Sequence, residues 1–486
     1  MKRTTSFGWL LAASASTCLL HAGALHAGEF KSSQGKTVPD QYIVVFEDGL
    51  RTDKAGELAV DNELRLASRA QGFSIGKRWN GVLQGALVKG LDERAARALA
   101  ALPGVAYVTP DVQGTLATTQ TGANDHIAML DQRTYPGDGN YDYSYTGSGV
   151  DIYIVDSGFN TTRADFTGRA SQPYNGIAGS TGAENDGHGY TMAMLAGGSV
   201  YGVAKNATLK SVRVVGPNSS MASDLISGLD WIRLNKTNSR SVVNVSIIYP
   251  GNPALDTAVN NLIASGAVVV VAAGNKGLNG AGLGQPACGY SPAGVAGAFT
   301  VSSAAPGFTR QSWANYGACV DAFAWSPSGT SESTALVSGV AALIWEQYPT
   351  LSATLVQEEI RKRATKNAVS DTAQLPLGGA ANLVAYSLPV YSAAPATPAS
   401  FTVATQHCFG ANDMGWTAST DALYYEAQRS AYSNFNSPSL AYSGPDTLLT
   451  VNVTGTTYYR VRACNGLGCS TYRVAPSPAT YTNGCL

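Results

Sequence analysis

Apolar positions along the chain fall into three rhythms. From Gln41 to Val108 short runs alternate with longer amphipathic ones: a strand over Gln41–Phe46, a helix over Glu57–Ala70, a strand over Leu83–Val88, a helix over Asp92–Leu102 and a strand over Val105–Val108. This predicts a compact β-α-β-β-α-β-like unit. The middle of the chain interleaves β-rich runs (Asp151–Val155, Leu209–Val215, Val242–Ile248, Val268–Ala273, Phe299–Ser302) with helical ones (Met221–Leu234, Leu255–Ala264, Ala353–Thr365). Strands alternating with helices argue for an α/β fold with a mostly parallel sheet and helices on both faces. After Pro389–Ser400, where Ala-Ala-Pro-Ala-Thr-Pro makes a stiff linker, the pattern turns all-β: Trp416, Tyr424–Ala427, Leu448–Val453 and Tyr458–Ala463 lie between closely spaced turns. That spacing suits a β-sandwich of roughly immunoglobulin size.

One stretch departs from all three rhythms. Ser328-Gly329-Thr330-Ser331 is a small turn that hands over to a run through Trp345, apolar on nearly every side. Such a helix belongs at the centre of a large domain. A serine in its first turn lies where free backbone N–H groups point outward and can hold an oxyanion. It also suits an ordinary helix cap, so partners elsewhere must decide.

Composition narrows the setting. The 486 residues have room for several domains, charged residues are only 13%, and the net charge of -1 gives no reason to expect a nucleic-acid partner. Lys2 and Arg3 precede an apolar segment from Phe7 to about Leu20, followed by small residues at Ala22-Gly23-Ala24 and Ala27, so residues 1–27 read as a secretory signal. No later stretch reaches spanning length, and the mature protein is expected to be exported and free of the membrane. Cys18 falls in the leader; Cys288, Cys319, Cys408, Cys464, Cys469 and Cys485 could all pair in an oxidising compartment. The last four allow three pairings, with closure of Cys464 onto Cys469 favoured. A metal site is not expected, because CxxC pairs and nearby histidines are missing.

If Ser331 is a nucleophile it needs a base. Of five histidines, His21 and His26 leave with the leader and His407 sits in the C-terminal module. Of His126 and His188, the second stands between glycines in Asp186-Gly187-His188-Gly189-Tyr190, which leave the imidazole accessible. Asp156, in Val155-Asp156-Ser157-Gly158, ends a strand and can orient such a base; Asn275 follows another strand. In open α/β sheets functional residues gather beyond these carboxyl ends.

Asp, His, Asn and Ser in that order are a specific signature. The chain resembles the subtilisin-like serine proteases, family S8, of the proteinase K and aqualysin type. The resemblance spans about residues 117–387 through Val155-Asp156-Ser157-Gly158, Gly187-His188-Gly189, Tyr201-Gly202-Val203-Ala204, Ala272-Ala273-Gly274-Asn275, Tyr290-Ser291-Pro292-Ala293, Asn315-Tyr316-Gly317 and Ser328-Gly329-Thr330-Ser331. It implies that Ser331 attacks a peptide carbonyl, His188 moves the proton, Asp156 holds the imidazole, and Asn275 with the Ser331 N–H binds the oxyanion. It also implies that Ser246, Ile247, Ile248 and Gly274 line the substrate wall, and that Cys288 pairs with Cys319. Residues 38–115 resemble the inhibitor-type propeptide of ferredoxin-like fold, with self-cleavage near Thr115–Thr119 and the propeptide acting as intramolecular inhibitor. The catalytic domain is then 116–388, and residues 401–486 resemble fibronectin type III modules of secreted bacterial hydrolases. The expected product is a monomeric secreted endopeptidase acting on proteins or peptides, exported by way of the periplasm if the source is Gram-negative.

Departures bear on the wall. The family's His-Gly-Thr-His-Val-Ala-Gly reads His188-Gly189-Tyr190-Thr191-Met192-Ala193-Met194 here. Ser-Leu-Gly-Gly becomes Ser246-Ile247-Ile248-Tyr249, so β-branched Ile248 is expected to narrow the pocket. The usual Met after the nucleophile is Glu332, and the loop between Phe323 and Ser328 is short. Family resemblance would suggest calcium, but the aspartate of its strong site appears as Ala304 or Ala305, so no cofactor is expected. The alternative is a catalytically silent protein of the same fold that binds a partner.

Overall fold

A computed structural model describes residues 28–31, 37–47, 59–79, 83–112, 118–179, 187–216, 220–276, 282–391, 394–403, 411–453 and 455–480. The leader, Cys408, Cys485 and positions 113–117 of the expected processing region lie outside them. The chain divides into two compact units, the first holding Thr37–Asp111 and the second Val112–Leu486.

In the first unit the strands Thr37–Phe46, Ser74–Trp79, Gly85–Lys89 and Val105–Val112 alternate with helices Ala59–Gln71 and Glu93–Ala100. The sheet order is 105–112, 37–46, 85–89, 74–79, with Glu29–Phe30 added in parallel outside 105–112. The strand over 74–79 has no clean apolar alternation in Ser-Ile-Gly-Lys-Arg-Trp, which is why the sequence pattern misses it. Residues 29–30 pair with 107–108, and the second strand begins at Thr37. One core, including Val44, Phe46, Leu64, Val88, Leu99 and Val108, holds the unit together.

The second unit is built on a sheet whose main parallel strands are β1 (Asp151–Asp156), β2 (Ala170–Asn175), β3 (Thr208–Arg213), β4 (Ser241–Val245), β5 (Val268–Ala272), β6 (Phe299–Ala305) and β7 (Ala322–Trp325), in the order β2-β3-β1-β4-β5-β6-β7. Leu383–Val384 continues it in parallel beyond β7. The apolar runs of β1, β4 and β5 feed two cores by strict alternation. Ile152, Ile154, Val242, Val268 and Val270 face the helices α1 (His188–Gly197), α4 (Thr330–Gln347) and α5 (Ala353–Arg363). Tyr153, Val155, Val243, Val245, Val269 and Val271 face α2 (Ala222–Asn235) and α3 (Pro253–Ala264). Each strand is therefore apolar on both sides, and each fully buried valine contributes roughly 1.5–3 kcal/mol. α4 runs through the first of these cores and is buried at nearly every position, as its all-round apolar sequence requires.

The C-terminal strands form two sheets. One joins Phe401–Val403, Ala411–Trp416 and Leu448–Asn452; the other joins Ser439–Gly444, Tyr424–Ser430, Tyr458–Asn465 and Gly468–Cys469, with Arg473–Val474 also pairing to 458–465. Trp416, Tyr425, Tyr459 and Val461 fill the space between them. Leu423 and Leu467 belong instead to the core that contains Trp345 and Tyr348, so this module packs on the end of α4. Cys464 and Cys469 are disulfide-bonded across a tight turn, and Cys288 and Cys319 are joined with Cα atoms 5.4 Å apart.

Candidate active site

Asp156 is the last residue of the central strand β1, which is flanked on both sides by parallel partners, and it is 1% exposed. Its carboxylate accepts from the N–H of Ser157 at 2.7 Å and faces Nδ1 of His188, 2.9 Å from each oxygen. His188 opens α1. The close approach of α1 to the turn after β1 depends on Gly189, where a Cβ would lie 2.5 Å from the carbonyl oxygen of Gly158. The Gly189 N–H donates to Ser157 Oγ at 3.0 Å and fastens the two segments. The imidazole itself is 48% exposed. Burial works against its charged form, but the hydrogen bond and charge of Asp156, with a smaller contribution from Glu332, outweigh this and hold the His188 pKa above the ordinary histidine value.

Ser331 lies in the first turn of α4, just after the N-cap Gly329. Its hydroxyl donates to the carbonyl of Ser246 at 3.3 Å rather than to His188, and Ser246 Oγ donates back to the Ser331 carbonyl at 3.2 Å. Behind Ser246 runs a buried polar line: Asn244 Nδ2 donates to Ser246 Oγ, and Ser338 Oγ donates to Asn244 Oδ1, each at 3.0 Å. Asn244 sits in the otherwise apolar Val-Val-Asn-Val of β4, and that lone polar residue is the signal by which sequence could have found it. Sequence places a strand over Val242–Ile248, but pairing ends at Val245, because Ser246 turns towards α4.

Asn275 follows β5. Its Oδ1 accepts from both the N–H and the hydroxyl of Thr330, each at 3.0 Å, which fixes which end of the amide is oxygen. The Nδ2 donors make no hydrogen bond with described residues and lie beside Gly329 at the start of α4. Gly274 has φ +96°, and a Cβ there would lie 2.3 Å from Cδ1 of Ile248. The Ile248 side chain thus occupies the space over Gly274, against the core that includes Ala273 and Ala293.

Glu332 is surrounded rather than free. One carboxylate oxygen accepts from Ser326 and contacts Nε2 of His126 at 3.3 Å; the other accepts from Ser328. Burial alone would raise this carboxyl, yet these hydrogen bonds hold its pKa at about 2. The position near the helix N-terminus favours the anion as well. Ser326 Oγ also donates to the Gly329 carbonyl at 2.9 Å, so the short turn before α4 is clamped by the residue after the serine. His126, on the short helix Asp125–Ala128, packs edge-on against Trp325 at 5.2 Å. Sequence offers His126 only as a leftover histidine; its role at Glu332 comes from the fold.

The chain has known relatives. Residues 147–380 match the model of the subtilase family. An extracellular serine proteinase of Thermus sp. (strain Rt41A) is 36% identical over 367 residues, 69% of this chain and 87% of that protein. The chain belongs to the subtilase family. Alkaline serine exoprotease A of Vibrio alginolyticus is 37% identical over 285 residues, 55% of this chain and 51% of that protein. A crystal structure of a cold adapted subtilisin-like serine proteinase aligns with TM-score 0.51 and 36% identity, covering 56% of this chain and all of that one. As a subtilase, the chain is a member of a serine peptidase family whose relatives include extracellular enzymes. Among the described residues no helix is long and apolar enough to cross a membrane.

Proposed function

We propose that this subtilase is a secreted serine endopeptidase, made as a zymogen that processes itself. The observation that carries the reading is the cradle of His188 against both oxygens of buried Asp156, with Ser331 and a spare Asn275 donor at the start of α4. Ser331 leaves the Ser246 carbonyl by a rotamer change, delivers its proton to Nε2 of His188 and attacks the substrate carbonyl carbon. The tetrahedral oxyanion receives hydrogen bonds from Asn275 Nδ2 and the Ser331 N–H. Imidazolium, stabilised by Asp156, then protonates the leaving amine, and water releases the acyl group by the same route. Hydroxyl–base contacts in substrate-free enzymes are commonly loose and tighten on binding.

Ile248 over Gly274 supports a preference for small side chains at the residue whose carbonyl is attacked. The first unit, a βαββαβ fold placed between leader and catalytic unit, serves as the inhibitory propeptide, with cleavage near Thr115–Thr119. Residues 1–27 direct export, and the C-terminal sandwich is of fibronectin type III kind. The rival reading, a silent binding protein, is favoured by the Ser331 hydroxyl resting on the Ser246 carbonyl. Labelling with a fluorophosphonate separates them: the processed protein should take one label per chain, lost in Ser331→Ala. Ser331→Ala should also accumulate with the first unit still attached. A wild-type protein that takes no label while proteinase K does would sink the enzyme reading.

A further inference from the structure

The order β3-β1-β4 places two chain exits on either side of the carboxyl end of β1, where Asp156 stands. Crevices of this kind, beyond the carboxyl ends of parallel strands, are where such sheets bind ligands. On the β4 side the exit is Ser246–Tyr249, and it begins at the hydroxyl of Ser331. Ile247 and Ile248 are half-buried and make no main-chain hydrogen bond with described residues. Unpaired backbone of this sort takes up another extended chain. The free edge stops at Tyr249, whose backbone pairs with Ser291.

The Tyr249 side chain does something further. Its ring packs against the core shared with α2 and α3, and its hydroxyl donates to the Met221 carbonyl at 3.2 Å and hydrogen-bonds Ser220 Oγ. Met221 is the N-cap of α2, on the β3 side of the crevice. One side chain therefore reaches from the β4 exit to the β3 exit and ties them together. An extended chain rises about 3.3 Å per residue, so three steps from Ser246 to Tyr249 leave room for roughly three substrate residues.

We propose that Tyr249 is a specificity-determining residue that ends the acyl-side groove about three residues from the bond cleaved. The inference rests on the peptidase reading above, with the unpaired Ser246–Ile248 backbone beside Ser331 as the substrate wall. It predicts a subtilase that gains nothing from longer acyl-side contacts, in contrast to an enzyme with an open groove.

The test is a series of N-acetylated peptide p-nitroanilides with one to five residues before the anilide and a small residue at the cleaved position. For wild type, kcat/KM should climb to three residues and then stay within about twofold. Tyr249→Gly should gain about tenfold between three and five residues, and Tyr249→Phe, which loses both bonds but keeps the ring, should gain part of that. Extending quenched peptides on the leaving-group side should affect the three proteins equally. A wild-type rate that rises more than tenfold from the third to the fourth residue overturns the proposal. So does a Tyr249→Gly profile matching wild type in protein that labels normally with fluorophosphonate. Wild type that neither labels nor cleaves any length removes the peptidase reading itself, and this inference with it.

Discussion

The corner formed by Asp156, His188, Ser331 and Asn275 and the wall formed by Ser246–Tyr249 and Ser326–Glu332 lie side by side, yet different forces hold them. In the corner, each side chain ends a strand or opens a helix whose body is packed in one of the two cores. Its polar atoms are set by short contacts to groups that are themselves fixed, such as Ser157 N–H and Thr330. In the wall, Ile248 fills the space over Gly274, while Tyr249 and Glu332 are held by hydrogen bonds to neighbouring side chains and carbonyls. The corner is thus placed by the ends of packed elements, the wall by side chains that fill and satisfy one another.

The comparison breaks most sharply at the corner. Ser331→Ala or His188→Ala should lower kcat by about 10⁶-fold, the range known for the same change in subtilisin itself. A small effect in a peptide cleavage assay would mean that the corner is not the catalyst. Asn275→Ala should cost about 10²–10³-fold in kcat with little change in KM, again the size known for the subtilisin donor. An effect confined to KM would move Asn275 from transition-state to ground-state binding.

The wall should respond through selectivity. Ile248→Gly uncovers Gly274 and should shift preference from small towards large residues at the cleaved position, by roughly 10–100-fold in relative kcat/KM. An unchanged preference would show that Ile248 does not face substrate.

Glu332 links the two regions and should give the smallest effect. Its negative charge contributes to the raised pKa of His188, so the acidic limb of kcat/KM should lie at higher pH in wild type than in Glu332→Gln. The shift should shrink with added salt, as for any partly screened charge. Identical profiles would remove Glu332 from the mechanism. The carboxyl is also depressed from 4.5 to about 2. Its contribution to stability is therefore fully present above the ordinary value and lost as the pH falls towards about 2. The gap in urea stability between wild type and Glu332→Gln should narrow across that window.

Much of this molecule was legible in its sequence, for a physical reason. Runs such as Val268-Val269-Val270-Val271 and the all-round apolar α4 leave only a buried parallel strand and a central helix as stable solutions. Residues that end such elements, Asp156 and Asn275, are then placed to within a turn, and glycines beside His188 mark a close approach. Short edge strands such as Ala170–Asn175 and Ser74–Trp79 were not legible, because their burial pattern depends on neighbours far away in the chain. Tertiary structure alone decided three further matters: that His126 meets Glu332 across 206 positions, that Asn244 and Ser338 brace the helix of Ser331 from 94 apart, and that the Tyr249 hydroxyl reaches Ser220 and Met221. Local pattern records which faces must leave water. It carries no record of which polar groups, once buried, find each other.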